Sequence, residues 1–304
     1  MTLIETIIPR IPIGKWIDSG IDWIKANLDA LLDVVSDGGT ALYDALTWLL
    51  LAPHPLIMVA IFSLLSWVFR SWRLAVGVAL AFLFIISMNQ WTGAMQTLSL
   101  VVIATLTAVV IAIPLGIWAA KSDTVSAILR PILDLMQTMP AFVYLIPAVT
   151  FFSIGVVPGL FSTIIFALPP GVRLTELGIR QVDSETVEAG QSFGATGWEI
   201  LRGIELPLAL KSIMAGVNQV IMLALSMAVI AGMVGADGLG KEVVSSLATV
   251  NIAKGAEAGL AIVFLAIFLD RFTSALGSPA DNSSSLLALW KKRAEQRNRV
   301  ATAA

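Results

Sequence analysis

The sequence predicts an all-α integral membrane protein with about seven transmembrane helices, preceded by an amphipathic helical segment. Three observations carry that reading. Of the 304 residues, 57% are hydrophobic and only 13% charged, against about 25% charged in ordinary globular domains. Mean hydropathy is +0.88. Most tellingly, residues 74–120, 135–172 and 212–236 contain no charged side chain at all, and a membrane-crossing helix needs roughly 20 apolar residues.

The first region, 1–53, is mixed in character. Trp16, Ile17, Ile21, Trp23, Ile24, Leu28, Leu31 and Leu32 recur at helical spacing, with Asp18, Asp22, Asp29 and Asp33 on the opposite side. This predicts an amphipathic helix, broken at Gly38-Gly39 and resumed to about Leu51, lying flat on the membrane surface with tryptophans inserted. A cytosolic helical hairpin is the alternative. Met1 to Arg10 lack the basic-then-apolar pattern of a signal peptide, so the amino terminus is expected to be retained.

Pro53-His54-Pro55 ends that region, and seven spans follow at about 55–69, 73–89, 93–119, 131–153, 157–178, 208–234 and 256–276. Residues 54–89 read as two accessory helices, 90–276 as the core and 277–304 as a basic tail. Basic residues orient the chain. Arg70 and Arg73 follow the first span, Lys121 and Arg130 the third, Arg173, Arg180, Arg202 and Lys211 surround the fifth connection, and Lys291 to Arg299 follow the seventh. Alternation puts all of them on one side. Cytoplasmic loops are enriched in Lys and Arg, so the carboxy terminus is expected inside and the amphipathic segment outside.

Composition also excludes. The absence of cysteine rules out disulfides and thiolate chemistry. The single histidine, His54, rules out a multi-histidine metal site and leaves almost no general base. A net charge of −2 gives no footprint for nucleic acid. No catalytic residue and no metal ligand set is expected. Asp134, Glu176 and Asp270 fall near the cytoplasmic ends of spans, where hydration or pairing with Arg130, Arg173 or Arg271 accounts for them.

The connection from Val172 to Leu208 is too long for a simple turn, and it is structured. Asp183-Ser184-Glu185 is a helix start, Val187, Ala189 and Phe193 form a small apolar face, and Gly194-Ala-Thr-Gly197 stops it. A second helix begins at Trp198, and Pro207 reopens the chain into the sixth span. Such a segment is either a docking element or a mere connector.

The residues of this loop resemble the "EAA" loop of ABC-importer permeases. Glu188-Ala189-Gly190, then Gly194, then Ile204-Glu205-Leu206-Pro207 match its spacing, with Gly190 replacing the second Ala as the one departure. Further runs are similar to the membrane subunit of glycine betaine/proline betaine importers, a branch that also carries choline, carnitine and trimethylamine N-oxide. These are Leu135–Pro147, Ile165–Pro170, Ala215–Gln219, Ala224–Met227 and Leu269–Arg271. The resemblance covers roughly 90–276 and implies a type I ABC-importer permease core in a bacterial inner membrane. It implies as partners a second copy of the chain, a cytosolic ATPase dimer that uses ATP and Mg, an external substrate-binding protein, and surrounding lipid. It also implies that Glu188, Ala189, Gly190, Ser192 and Gly194 couple to the ATPase, with Ile204, Leu206 and Pro207 ending the loop.

Two motifs mislead. Gly235-Ala-Asp-Gly-Leu-Gly-Lys241 imitates a phosphate-cradling loop, but Glu242 replaces the required Ser/Thr and no strand precedes it. Gly190-Gln-Ser192-Phe-Gly194 imitates a nucleophile elbow with no histidine on its side of the membrane. Candidate path residues are Met136, Thr138, Phe142 and Tyr144 in the fourth span, since aromatic faces attract a quaternary ammonium; lipid-facing or bundle-packing aromatics beside a kink at Pro140 are the alternative. Asn218 and Ser226 in the sixth are further candidates, helix-bridging being the alternative. An ion-coupled secondary transporter is the rival from another class. It calls for mid-membrane carboxylates or inverted broken helices, and neither is visible.

Overall fold

A computed structural model describes residues 11–277, and every ordered element in that range is helical. The first ten residues and the expected basic tail lie outside the described residues.

The first helix, α1 (Ile13–Leu51), turns through 99° into α2 (Pro55–Phe69). The expected break at Gly38-Gly39 is absent: the helix runs through both glycines, and its one non-helical residue is Leu28, at φ −120° and ψ 19°. Two contacts explain the shift. The Asn27 side-chain amide donates to the Trp23 carbonyl at 2.8 Å, intruding on the main-chain ladder one residue before the kink. Gly39 meanwhile lets α1 approach the bundle, with Leu160 and Val157 side chains 3.6–3.8 Å from where its Cβ would stand. That packing offsets the cost of about 1 kcal/mol for a mid-helix glycine. Trp16, Trp23 and Trp48 remain exposed.

Helices α2 and α3 (Trp72–Ser87) form an accessory pair of 15 and 16 residues. His54 caps α2, its Nδ1 accepting from the Leu56 amide at 3.3 Å, and Ser71 caps α3 through Leu74 N–H. Stacked and edge-on rings of Phe62, Phe82, Trp91 and Phe268 tie the pair to the core, with centroids 4.9–6.1 Å apart.

The core is built on α4 (Trp91–Lys121), α7 (Val156–Arg180), the continuous rod ending in α10 (Leu206–Ala231), and α12 (Ile252–Gly277). Small residues bring their backbones together, as expected where lipid gives no hydrophobic drive between helices. A Cβ on Gly116 of α4 would lie 2.5 Å from Thr175 Cβ of α7, and one on Gly178 of α7 would lie 2.7 Å from Ser212 Cβ of α10. Among the described residues these four are long and apolar enough to cross a membrane, or up to six spans if each bent pair counts as one, against the seven expected. Helices α2 and α3 fall short of about 20 residues.

The expected fourth span, 131–153, is not one rod. Helix α5 (Asp123–Thr138) bends by 107° into a 3₁₀ turn at Ala141–Tyr144 and α6 (Leu145–Phe152). Pro140 forces the break, because it has no N–H for the Met136 carbonyl and holds Met139 extended, at ψ 136°. Span six also differs, its helix beginning far earlier. From Gly197–Ile200, here α9, it passes through a π-helical segment, Leu201–Glu205, into α10. The Leu206 amide reaches back five residues to Leu201, and this widened turn lets Pro207 sit in the first turn of α10 without ending the helix. Helix α11 (Leu239–Ala248) closes the far end.

Candidate coupling site

The loop joining α7 to α10 stands out from the bundle as a separate short helix, α8 (Ser184–Ser192). Both of its ends are fixed by local chemistry. Asp183 caps the start, Oδ1 accepting from Glu185 N–H at 3.2 Å and Oδ2 from the Thr186 hydroxyl at 3.3 Å. At the other end Gly194 takes φ +82°, its amide donates to the Gln191 carbonyl at 2.9 Å, and the Ala195 amide donates to the Gly190 carbonyl at 3.1 Å. This paired closure around a left-handed residue is a Schellman stop, which favours glycine. A capping box follows at once: the Thr196 amide donates to Glu199 Oε2 at 2.7 Å and Glu199 N–H to Thr196 Oγ1 at 3.4 Å.

The helix thereby acquires two faces. Gly190 faces inward, where a Cβ would stand 2.7 Å from Ile204 Cδ1 and 3.5 Å from Ile200 Cγ1. The clash is with the tip of a flexible side chain, so the departure from Ala adjusts one contact and leaves the fold unchanged. Glu188, Ala189, Ser192 and Gly194 are exposed, and Phe193 is 93% exposed. The Ser192 hydroxyl donates to the Glu188 carbonyl at 2.9 Å, so it serves the helix itself. Half-buried Ile204 is the bearing on which α8 rests; Leu206 is half-buried and Pro207 exposed. Glu188 to Gly194 thus form one capped unit bearing on Ile204, while Leu206 and Pro207 begin α10.

Ionic contacts surround the loop's roots. Glu176, 7% exposed, accepts from the Ser126 hydroxyl at 2.6 Å, from Arg180 Nε at 3.0 Å and from Arg130 at 3.5 Å. Arg173 pairs with Asp134, and Arg271 lies 3.7 Å from Asp270. Lys121 Nζ sits 2.7 Å from Glu205 Oε1 and 2.5 Å from Oε2. Sequence reasoning missed this last pair. Its only signals were a lone lysine closing a charge-free run and a glutamate inside an apolar stretch.

The path candidates are not gathered into one chamber. Tyr144, buried, donates its hydroxyl to the Met136 carbonyl, the group left without a partner by Pro140, and its ring meets Phe166 edge-on at 5.9 Å. Removing that hydroxyl strands a carbonyl at a cost of about 1–3 kcal/mol. Tyr144→Phe is therefore expected to lower the thermal unfolding midpoint of the purified protein by several degrees, and an unchanged midpoint would remove the latch assignment. Phe142 is 53% exposed and Thr138 is exposed, its hydroxyl bonded to the Leu135 carbonyl at 3.1 Å. Asn218 bridges α10 to α12 through Asp270 and the Thr273 hydroxyl. Ser226 bonds within its own helix, to the Met222 carbonyl at 3.1 Å.

Comparison with known proteins adds an independent line. The family model described as "binding-protein-dependent transport system inner membrane component" matches residues 112–278, which include the whole of α8. The chain is 46% identical to the glycine betaine transport system permease protein OpuAB of Bacillus subtilis, over 88% of this chain and 94% of that one. It is 47% identical to the glycine betaine/carnitine transport permease protein GbuB of Listeria monocytogenes, over 90% of this chain and 98% of that one. With the glycine betaine/proline betaine permease protein ProW of Escherichia coli the identity is 43%, over 88% and 75%. Among solved structures, an inward-facing MetNI methionine ABC transporter superposes with a TM-score of 0.56 at 21% identity, over 64% of this chain and 96% of that chain, a likeness of fold.

Proposed function

The chain belongs to the family of binding-protein-dependent transport system inner membrane components, and on that premise we propose that it is the permease subunit of an ABC importer for a betaine-type compatible solute. The observation that carries the coupling role is the exposed, doubly capped α8, in which Gly194 closes the helix, Gly190 bears on Ile204 and Glu188, Ala189 and Ser192 face outward. Glycine betaine or proline betaine is the substrate class favoured by the relatives named above. Carnitine also appears in a relative's name, and trimethylamine N-oxide in that of a permease from Ruegeria pomeroyi at 37% identity.

In this reading two copies pair around the path, and an external binding protein delivers solute. Residues 1–53 lie outside at the membrane surface, 54–89 are accessory, 90–276 form the translocating core and 277–304 form a tail inside. A cytosolic ATPase dimer receives Glu188, Ala189, Gly190, Ser192 and Gly194 in a cleft. ATP and Mg belong to that partner, and this chain has no enzymatic role of its own. ATPase closure draws the two α8 helices together and rocks the bundles between inward- and outward-open states. Exposed Phe142 offers an aromatic face to a passing cation. The half-buried Asp270–Asn218 bond and the contact of Asp270 with exposed Arg271 account for a membrane carboxylate without ion coupling.

The test is reconstitution of this chain with its ATPase and binding protein in liposomes. Uptake of radiolabelled glycine betaine should require both partners and ATP. Uptake by the chain alone under an ion gradient would show a secondary transporter and overturn the reading.

A further inference from the structure

The coupling loop leaves the bundle at Arg180 and re-enters it at Glu205, and these two residues, 25 positions apart, grip the same turn of a third helix. Arg180, the last residue of α7, donates from Nη2 to the Ala119 carbonyl at 2.8 Å. Its guanidinium is held in place by Glu176 at 3.0 Å and Asp123 at 2.8 Å. Glu205, the last residue of the π-helical segment and only 6% exposed, holds Lys121 at 2.5–2.7 Å. Ala119 and Lys121 both belong to the last turn of α4.

Accepting the coupling role of α8, we propose that the last turn of α4 is the fulcrum through which its movement enters the membrane bundle, with Arg180 and Glu205 as the two jaws of a clasp. The mechanical argument is direct. Helix α8 rests on Ile200 and Ile204, which lie within or beside a π-helical stretch, the kind of weakly bonded turn that yields under load. A push on α8 would be absorbed there unless Glu205 were tied to something stiff. Helix α4 offers that anchor: it runs as one helix of 31 residues through the core, and its internal proline, Pro114, lies before the gripped turn. Its opposite end is also fastened, for Thr97 Oγ1 accepts the Leu239 amide at 2.8 Å in a buried bond at the start of α11. Helix α4 thus joins the coupling loop at one end to the α10–α11 turn at the other. Arg180, Glu205 and Lys121 are positioning residues in this scheme.

A merely structural ion pair would change stability and leave the ratio of solute moved to ATP hydrolysed untouched, so that ratio is the readout. The full importer, with ATPase and binding protein, is reconstituted with Glu205→Gln and supplied with radiolabelled glycine betaine. Hydrolysis stimulated by loaded binding protein is expected to persist, while solute moved per ATP falls about 5-fold or more, the low end of typical coupling between sites. The exchange Lys121→Glu/Glu205→Lys should recover most of the ratio. Arg180→Lys, which keeps the charge but cannot reach carbonyl and carboxylates together, should lower it in the same direction and serves if Glu205→Gln fails to assemble. A wild-type ratio in Glu205→Gln, or in Arg180→Lys where that variant serves, overturns the clasp. The chain has no cysteine, so a single Gln191→Cys can be cross-linked to the ATPase in parallel. A cross-link together with a wild-type ratio overturns the clasp and spares the coupling reading, whereas no cross-link to the ATPase overturns the coupling reading itself.

Discussion

Importers carrying Gly194→Trp or Glu188→Lys are expected to lose both uptake and stimulation of ATP hydrolysis, by about 30-fold or more, while the permease still inserts and purifies normally. The two halves of that expectation have separate physical grounds. Stability survives because the sites are exposed and nothing lies within 4 Å of a Cβ on Gly194. Forcing a side chain into φ +82° costs about 1–2 kcal/mol, and a charge change at exposed Glu188 costs less than about 0.5 kcal/mol. Docking does not survive, because loss of a central interface residue is worth 2 kcal/mol or more, and each 1.4 kcal/mol is tenfold. Gly194→Ala separates strain from bulk: it carries the backbone penalty without the indole, so it should retain much of the uptake. Normal transport by both Trp and Lys variants would remove the coupling assignment.

How legible that site was follows from where its residues get their instructions. Asp183, Gly194 and Thr196 each answer a local backbone need, namely a free amide, a left-handed φ and a second helix start. Such needs leave short-range patterns, so the loop could be read with its boundaries nearly right. The long apolar helices were legible for a similar reason, since freedom from charge is itself a local property: α7 runs 156–180 against the expected 157–178.

What failed was mostly decided at a distance. Gly38-Gly39 looked like a break, yet α7 supplies packing that keeps the helix whole, and the kink moves to Leu28. The 131–153 stretch is the exception: apolarity says nothing about direction, but Pro140 is a local signal for the 107° bend, and Tyr144, four residues on, covers the abandoned Met136 carbonyl. The Lys121–Glu205 pair joins residues 84 apart, and no window along the chain contains both. Asn218 was readable as either a helix bridge or a path residue, but its partners Asp270 and Thr273, 52 and 55 positions away, were not.

Gly240→Ala, the addition of one methyl group, is expected to prevent recovery of folded permease. A Cβ at Gly240 would lie 2.2 Å from the Ala228 carbonyl oxygen and 2.9 Å from Val229 Cα, and one at Gly232 would lie 2.4 Å from the Gly240 carbonyl carbon. Main chain faces main chain, with no flexible tip to swing aside, so α11 must move bodily away from the end of α10. Overpacking of this kind costs about 1–3 kcal/mol and occasionally more. The displacement also pulls the Leu239 amide from Thr97, a buried bond at 2.8 Å, adding about 1–3 kcal/mol. Together these approach the 5–15 kcal/mol that hold an ordinary domain folded. Gly235→Ala is the control, since the nearest obstacle is the Cγ2 methyl of exposed Ile154 at 2.7 Å, backbone comes no closer than 3.4 Å, and its φ of +91° adds strain of about 1–2 kcal/mol. Monodispersity and thermal unfolding in detergent read the difference: Gly240→Ala should aggregate while Gly235→Ala should not. The contrast also decides what the Gly235–Lys241 spacing is for. In a phosphate cradle the glycines serve a ligand, and Gly240→Ala would weaken nucleotide binding in an otherwise sound protein. Under backbone packing the same methyl removes the fold and no nucleotide restores it. A folded, monodisperse Gly240→Ala permease would therefore reject the packing account.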